Sequence, residues 1–181
     1  MIAATPVRFT RTQFYSIVDR LDPEHHYELL DGVIYIKPRS NPPHAGTVSY
    51  FLNRLATTLG LAYQVRSQDG LEISPDEAPE PDVCVLNASI DYYSTRHPNG
   101  GDAALVIEVG DTERNGQEKM RRYMRDGRIP LAWRIDIPER CVEIWTPADE
   151  TNPRDILRGD DRFDFEGVTF VVNDIPALKG R

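Results

Sequence analysis

Apolar positions recur at helical spacing in three places along the chain and alternate or cluster in short runs through most of the rest. Phe14, Ile17, Val18 and Leu21 give residues 11–21 one apolar edge and predict a short amphipathic helix. Val48, Phe51, Leu52, Leu55 and Leu59 form a single stripe over about 44–59. They predict a second helix, with Pro42-Pro43 breaking the chain ahead of it and Gly60 closing it. Met120, Tyr123 and Met124 form the inward stripe of a third helix over 117–126, ended by Gly127.

Strand patterns fill the gaps. Residues 27–30 and 33–36 flank Asp31-Gly32, a strong hairpin signal. Residues 61–66 and 70–73 read as strands on either side of Gln68-Asp69-Gly70, whereas 75–81 carries three prolines and cannot be regular. Residues 82–86 and 103–109 are rich in β-branched side chains, as buried strands are. Residues 131–137 and 141–146 predict a hairpin around Pro138-Glu139-Arg140, and 162–172 a last one turning at Glu166-Gly167. The order is that of a single α/β domain over 1–181: a mixed β-sheet flanked by helices, with extra hairpins at both ends.

Composition trims the functional classes. The chain has 181 residues, 40% hydrophobic and 28% charged, which excludes wholesale disorder. Its 21 Lys+Arg face 29 Asp+Glu, a net charge of −8, which argues against a general nucleic-acid coat. No apolar run reaches the ~20 residues of a membrane span, and residues 1–5 lack a signal-peptide layout, so a cytoplasmic protein is expected. Cys84 and Cys141 stand far apart with no ligand spacing and read as small buried hydrophobes. Trp133 and Trp145 read as core or dimer-contact aromatics, and Tyr92, Tyr93 and His97 as parts of an exposed loop.

Two carboxylates stand out against this pattern. Alternation puts Ala104, Val106 and Glu108 on one face of their strand and Leu105, Ile107 and Val109 on the other, so Glu108 enters a strand apolar on both sides. A lone buried carboxylate costs several kcal/mol unless a cation or hydrogen bonds compensate. Asp82 opens the apolar run Val83-Cys84-Val85-Leu86 in the same way. Two such oxygens at the ends of neighbouring strands suit a hard divalent ion such as Mg²⁺. The segment 114–128 is locally net +4, and Lys119 flanks the inward stripe of its helix, where it can point back toward Glu108. Carboxylates, a metal and an ammonium together suit phosphodiester hydrolysis.

Tyr27-Glu28-Leu29 before Asp31-Gly32, His44 at a helix start, Pro81-Asp82-Val83, Val106-Ile107-Glu108-Val109, and Glu118-Lys119 with Tyr123 and Gly127 recur here in one order. The set, over about 27–146, resembles the Uma-type restriction endonuclease family, a branch of the PD-(D/E)XK nuclease superfamily. The resemblance implies a restriction-endonuclease-like core and a Mg²⁺-dependent DNA nuclease site, with Mn²⁺ as substitute. Asp82 and Glu108 would be metal ligands with the Val109 carbonyl as a third, and Lys119 would orient the attacking water. Glu28 would be an auxiliary ligand or position water, and His44 a phosphate contact or acid/base. It also implies a homodimer, since two sites are needed to cut two strands. Two departures accompany it: Gly110 where the superfamily usually has Lys, and Asn115 where an Asp is usual. They motivate a second expectation, a catalytically inactive module that binds nucleic acid or serves assembly.

Overall fold

The computed structural model describes residues 7–110 and 116–179, so residues 1–6, 111–115, with Arg114 and Asn115, and 180–181 lie outside the described residues. In chain order the elements are α1 (Arg11–Val18), β1 (Tyr27–Leu30), β2 (Val33–Ile36), α2 (Pro42–Leu59), β3 (Tyr63–Arg66), β4 (Val83–Asn87) and β5 (Ala103–Gly110). There follow α3 (Gly116–Asp126), β6 (Ala132–Asp136), β7 (Cys141–Trp145), β8 (Asp155–Leu157), β9 (Arg162–Phe165) and β10 (Val168–Val171).

β3 to β8 make one six-stranded sheet in sequence order; β1–β2 and β9–β10 are separate two-stranded hairpins. Every pairing in the main sheet is antiparallel except β5 with β6, which are parallel and joined through α3, the crossover such a pair requires. One face of the sheet, with Val85, Leu105 and Ile107, packs against Phe51 and Leu55 of α2 and against Phe163 and Phe170 of the C-terminal hairpin. On the other, Val106, Ala132 and Trp145 meet Met120, Tyr123 and Met124 of α3. A third, small cluster of Phe14, Leu29 and Ala78 fastens α1 to the β1–β2 hairpin.

Four local expectations change. Pro42 and Pro43 begin α2 instead of breaking the chain before it: at the first helical positions their missing N–H groups cost nothing, and the Asn41 side chain caps the helix by accepting from the His44 amide at 3.0 Å. Residues 70–73 form no strand of the sheet; one isolated bridge, Glu72 to Asn99, and backbone bonds such as Leu71 to the Pro79 carbonyl hold the stretch, with Leu71 and Ile73 buried in the α3-side core. β8 is an unforeseen sixth strand, three residues long and without periodicity. A bulge shifts the β4–β5 register between Val85↔Leu105 and Leu86↔Ala103, and Ala104 packs with the α2 side instead of sharing a face with Val106.

Trp133 and Trp145 are buried in the two main cores, so neither offers surface to a partner copy. Tyr93 is buried too, its hydroxyl donating to the Asn87 carbonyl at 2.8 Å. Both cysteines are buried free thiols. Among the described residues no helix is long and apolar enough to cross a membrane.

Candidate active site

Sheet register brings the two carboxylates together. Val83 on β4 pairs with Ile107 on β5, so one residue further out Asp82 comes beside Glu108 and Val109. The Val109 amide donates to Asp82 Oδ2 at 2.9 Å, which pins the carboxylate to the edge of β5. The same oxygen lies 3.1 Å from His44 Nε2, delivered by the first turn of α2. Asp82 Oδ1 faces Lys37 Nζ at 3.4 Å, and that ammonium also donates to the Glu80 carbonyl at 2.6 Å.

Glu108 is held from the other side. The amphipathic stripe of α3 directs Tyr123 onto β5, and its hydroxyl donates to Glu108 Oε1 at 2.6 Å. Lys119, one turn earlier, reaches Glu108 Oε1 at 3.0 Å and Glu28 Oε2 at 2.8 Å, with a third contact to the Glu80 carbonyl at 3.3 Å. Glu28 comes from β1, and its Oε2 also accepts from the Glu80 amide at 3.3 Å. All five side chains singled out from the sequence thus meet in one place. Lys37 and the Tyr123 hydroxyl were not singled out as site groups.

The electrostatics follow from burial opposed by these partners. Burial works against ionisation of Asp82, but the His44 hydrogen bond and the charges of Lys37 and Lys119 outweigh it and bring its carboxyl down to about 2. Glu28 is likewise buried, and Lys119 holds it below the usual carboxylate range. Glu108 goes the other way: burial raises it, Lys119 only partly offsets this, and the neighbouring Asp82 adds to the rise. Burial alone would lower Lys119, yet Glu108, Glu28 and Asp82 together push it up, so it stays an ammonium. Tyr123 is pushed far up by burial and by Glu108, and remains a hydrogen-bond donor.

Apart from Tyr123, these groups border a cavity of about 340 Å³. Its walls include Tyr35, Ile36 and Arg39 of the hairpin and its exit, and Gly110, Gly116, Arg122 and Arg134 on the sheet and α3 side. Arg122 is tied to Glu77 and, at 3.6 Å, to Glu118. At Gly110 a Cβ would sit 3.5 Å from Arg134 Nε and Nη2, so the sheet position two past Glu108 already abuts a cation, while the ammonium arrives from the helix. Among the described residues no group of three or more His, Cys, Asp or Glu gathers to cage a metal ion. The donor set nonetheless fits a hard ion of the Mg²⁺ kind, which takes one or two carboxylates and completes its shell with water and substrate phosphate.

A second charged cluster lies one strand away. Arg134 on β6 is the register partner of Glu108 and of Glu143 on β7. Its Nη1 donates to Asp136 at 2.6 Å and to Glu143 at 2.9 Å; Glu143 also accepts from Trp145 Nε1 at 3.0 Å and Gln117 Nε2 at 3.1 Å. The signal that exposed Glu108, a charge inside an apolar strand, is equally present at Arg134, Asp136 and Glu143, and would have found them.

A family profile described as "Putative restriction endonuclease" (Uma2) matches residues 12–170. No curated protein matches the chain. Among solved structures, a protein of Anabaena variabilis ATCC 29413 described as "a putative nuclease belonging to DUF820" superposes with a TM-score of 0.72 over 96% of this chain and 99% of its own. The two are 16% identical, so what they demonstrably share is the fold.

Proposed function

The chain belongs to the Uma2 restriction endonuclease family, and from that premise we propose that it is a metal-dependent endonuclease hydrolysing phosphodiester bonds in DNA. The observation that carries this reading is the convergence of Asp82 and Glu108, from two adjacent strands, with an ammonium from α3 at the end of one open cavity. Asp82 and Glu108 would hold Mg²⁺, or Mn²⁺ in its place, with the Val109 carbonyl as a third ligand. Such an ion supplies Lewis-acid polarisation of the phosphate and an acidified water.

The remaining chemistry belongs to the chain itself. Lys119, kept protonated by three carboxylates, offers positive charge to the phosphoryl oxygens as they gain negative charge, and orients the attacking water. Glu28 fixes the position of that ammonium. Tyr123 fixes the rotamer of Glu108 by donating to one of its oxygens and leaving the carboxylate free to turn the other outward. His44, hydrogen-bonded to Asp82, stands beside the cavity as a phosphate contact or proton carrier.

DNA incubated with the protein and Mg²⁺ or Mn²⁺ is expected to be cut. Cleavage should vanish with EDTA and in Glu108→Ala, and the same variant should lose the metal-dependent rise in melting temperature. Undiminished cleavage in EDTA would refute the metal requirement. Gly110 and Asn115, standing where Lys and Asp are usual, motivate one second reading, a non-catalytic nucleic-acid-binding or assembly module. A melting temperature indifferent to millimolar metal would select it.

A further inference from the structure

The two faces of the β1–β2 hairpin are used differently. Register pairs Glu28 with Tyr35 and Leu30 with Val33, so these four side chains share one face, while Leu29 and Ile34 on the other belong to the cluster around Phe14 of α1. Glu28 is drawn into the site by Lys119, but Tyr35 directly opposite is 49% exposed and borders the cavity. Ile36 next to it is 57% exposed. Further along, Lys37 turns inward to Asp82, whereas Arg39 is exposed at the cavity mouth with no hydrogen bond or ion pair among the described residues. The segment carrying Arg39 is tethered at both ends, by the hairpin and by the Asn41 cap of α2.

A half-exposed aromatic ring and an exposed guanidinium lining the same cavity mouth suit a base stacked on the ring with a phosphate on the cation. A base inside a duplex has both faces covered already. The carboxylates are recessed as well: the side chains of Asp82 and Glu108 are 5% and 10% exposed, so a phosphate has to enter the cavity to meet them, which a single flexible strand does most readily. A protein of net charge −8 also has few cations to spare for the phosphates of two strands. We infer that Tyr35 and Arg39 form a landing site for an unpaired DNA strand, with Tyr35 stacking on a base and Arg39 holding a phosphate at the mouth of the Asp82–Glu108 cavity. The consequence for cleavage rests on the nuclease reading above; the binding does not.

Fluorescence anisotropy in calcium buffer tests it, using a short labelled single strand of DNA and the same strand annealed to its complement. The wild type is expected to prefer the single strand. Tyr35→Ala and Tyr35→Leu should each weaken that binding about tenfold, as loss of one base–aromatic stack does, while Tyr35→Phe keeps it. Arg39→Ala should reduce the slope of log affinity against log salt by about 0.7, the share of one phosphate contact on a single strand. Equal wild-type affinity for both DNA forms, or wild-type binding by the folded Tyr35→Ala and Tyr35→Leu proteins, overturns the inference. Cleavage without Tyr35-dependent binding would overturn it and leave the nuclease reading intact. Tyr35-dependent binding without cleavage would do the reverse.

Discussion

Glu108 and Arg134 are register partners on neighbouring strands, yet the charges gathered around each are held in opposite ways. Around Arg134, one guanidinium nitrogen ties down both Asp136 and Glu143; Gln117 donates to the same Glu143 oxygen and Trp145 to the other, all within the sheet and the start of α3. Around Glu108, three carboxylates from β1, the entrance to β4, and β5 are balanced by two lysines and a histidine from three other segments, on the wall of a cavity. The guanidinium is a rigid fork that never deprotonates; an ammonium on four methylenes can step aside. Burial of charge is common to both clusters. Arg134 itself also borders the cavity, but carboxylates that line it, and a cation able to yield, belong to the Glu108 cluster alone.

The contrast can be broken from its closed side first. Arg134→Met leaves Asp136 and Glu143 buried without their cation and should cost about 3–5 kcal/mol, measured by urea denaturation. Replacing all three with apolar residues of similar volume should be close to neutral in the same assay. If Arg134→Met unfolds at wild-type urea concentrations, the cluster is not the structural clamp described here.

Asp82 gives the next largest effect. Its carboxyl lies near 2 in the folded protein against about 4 in an unfolded chain, so it contributes roughly 2 kcal/mol above the unfolded value, lost as pH falls through about 2. Metal-free Asp82→Asn should therefore be less stable than the wild type at pH 6, with the gap closing under acid. Parallel stability curves down to pH 2 would contradict the partners assigned to Asp82. Smallest is Tyr123→Phe, which removes one buried hydrogen bond to Glu108 while Lys119 still contacts the same oxygen. About 1.5 kcal/mol is expected, read in the same denaturation assay, with slower cleavage at unchanged substrate affinity.

What could be read from the sequence is what local pattern encodes. Asp31-Gly32 announces its hairpin because only a tight turn uses both residues at positive φ, and they stand at 51° and 72°. Glu108 announces itself because a carboxylate contradicts the strand around it, and Lys119 because α3 has only one way to face the sheet. Lys37 carries no such mark: it follows a strand as many surface lysines do, and its meaning comes from Asp82, 45 residues away. Prolines 42 and 43 mislead because the same missing donor that ends a helix also begins one. β8 is too short to show any period at all.

Gly116, the first residue of α3, lies so close to the Arg134 side chain that any Cβ there would collide with it. This constrains how the two positions can drift through descent. Position 116 can enlarge only after 134 has shrunk, and 134 can shrink without penalty only if the acids at 136 and 143 lose their charge with it, since either one alone leaves a buried charge unpaired. A lineage leaving this arrangement must give up arginine and acids together and the glycine last, so relatives with a larger residue at 116 should lack both the arginine and the acids.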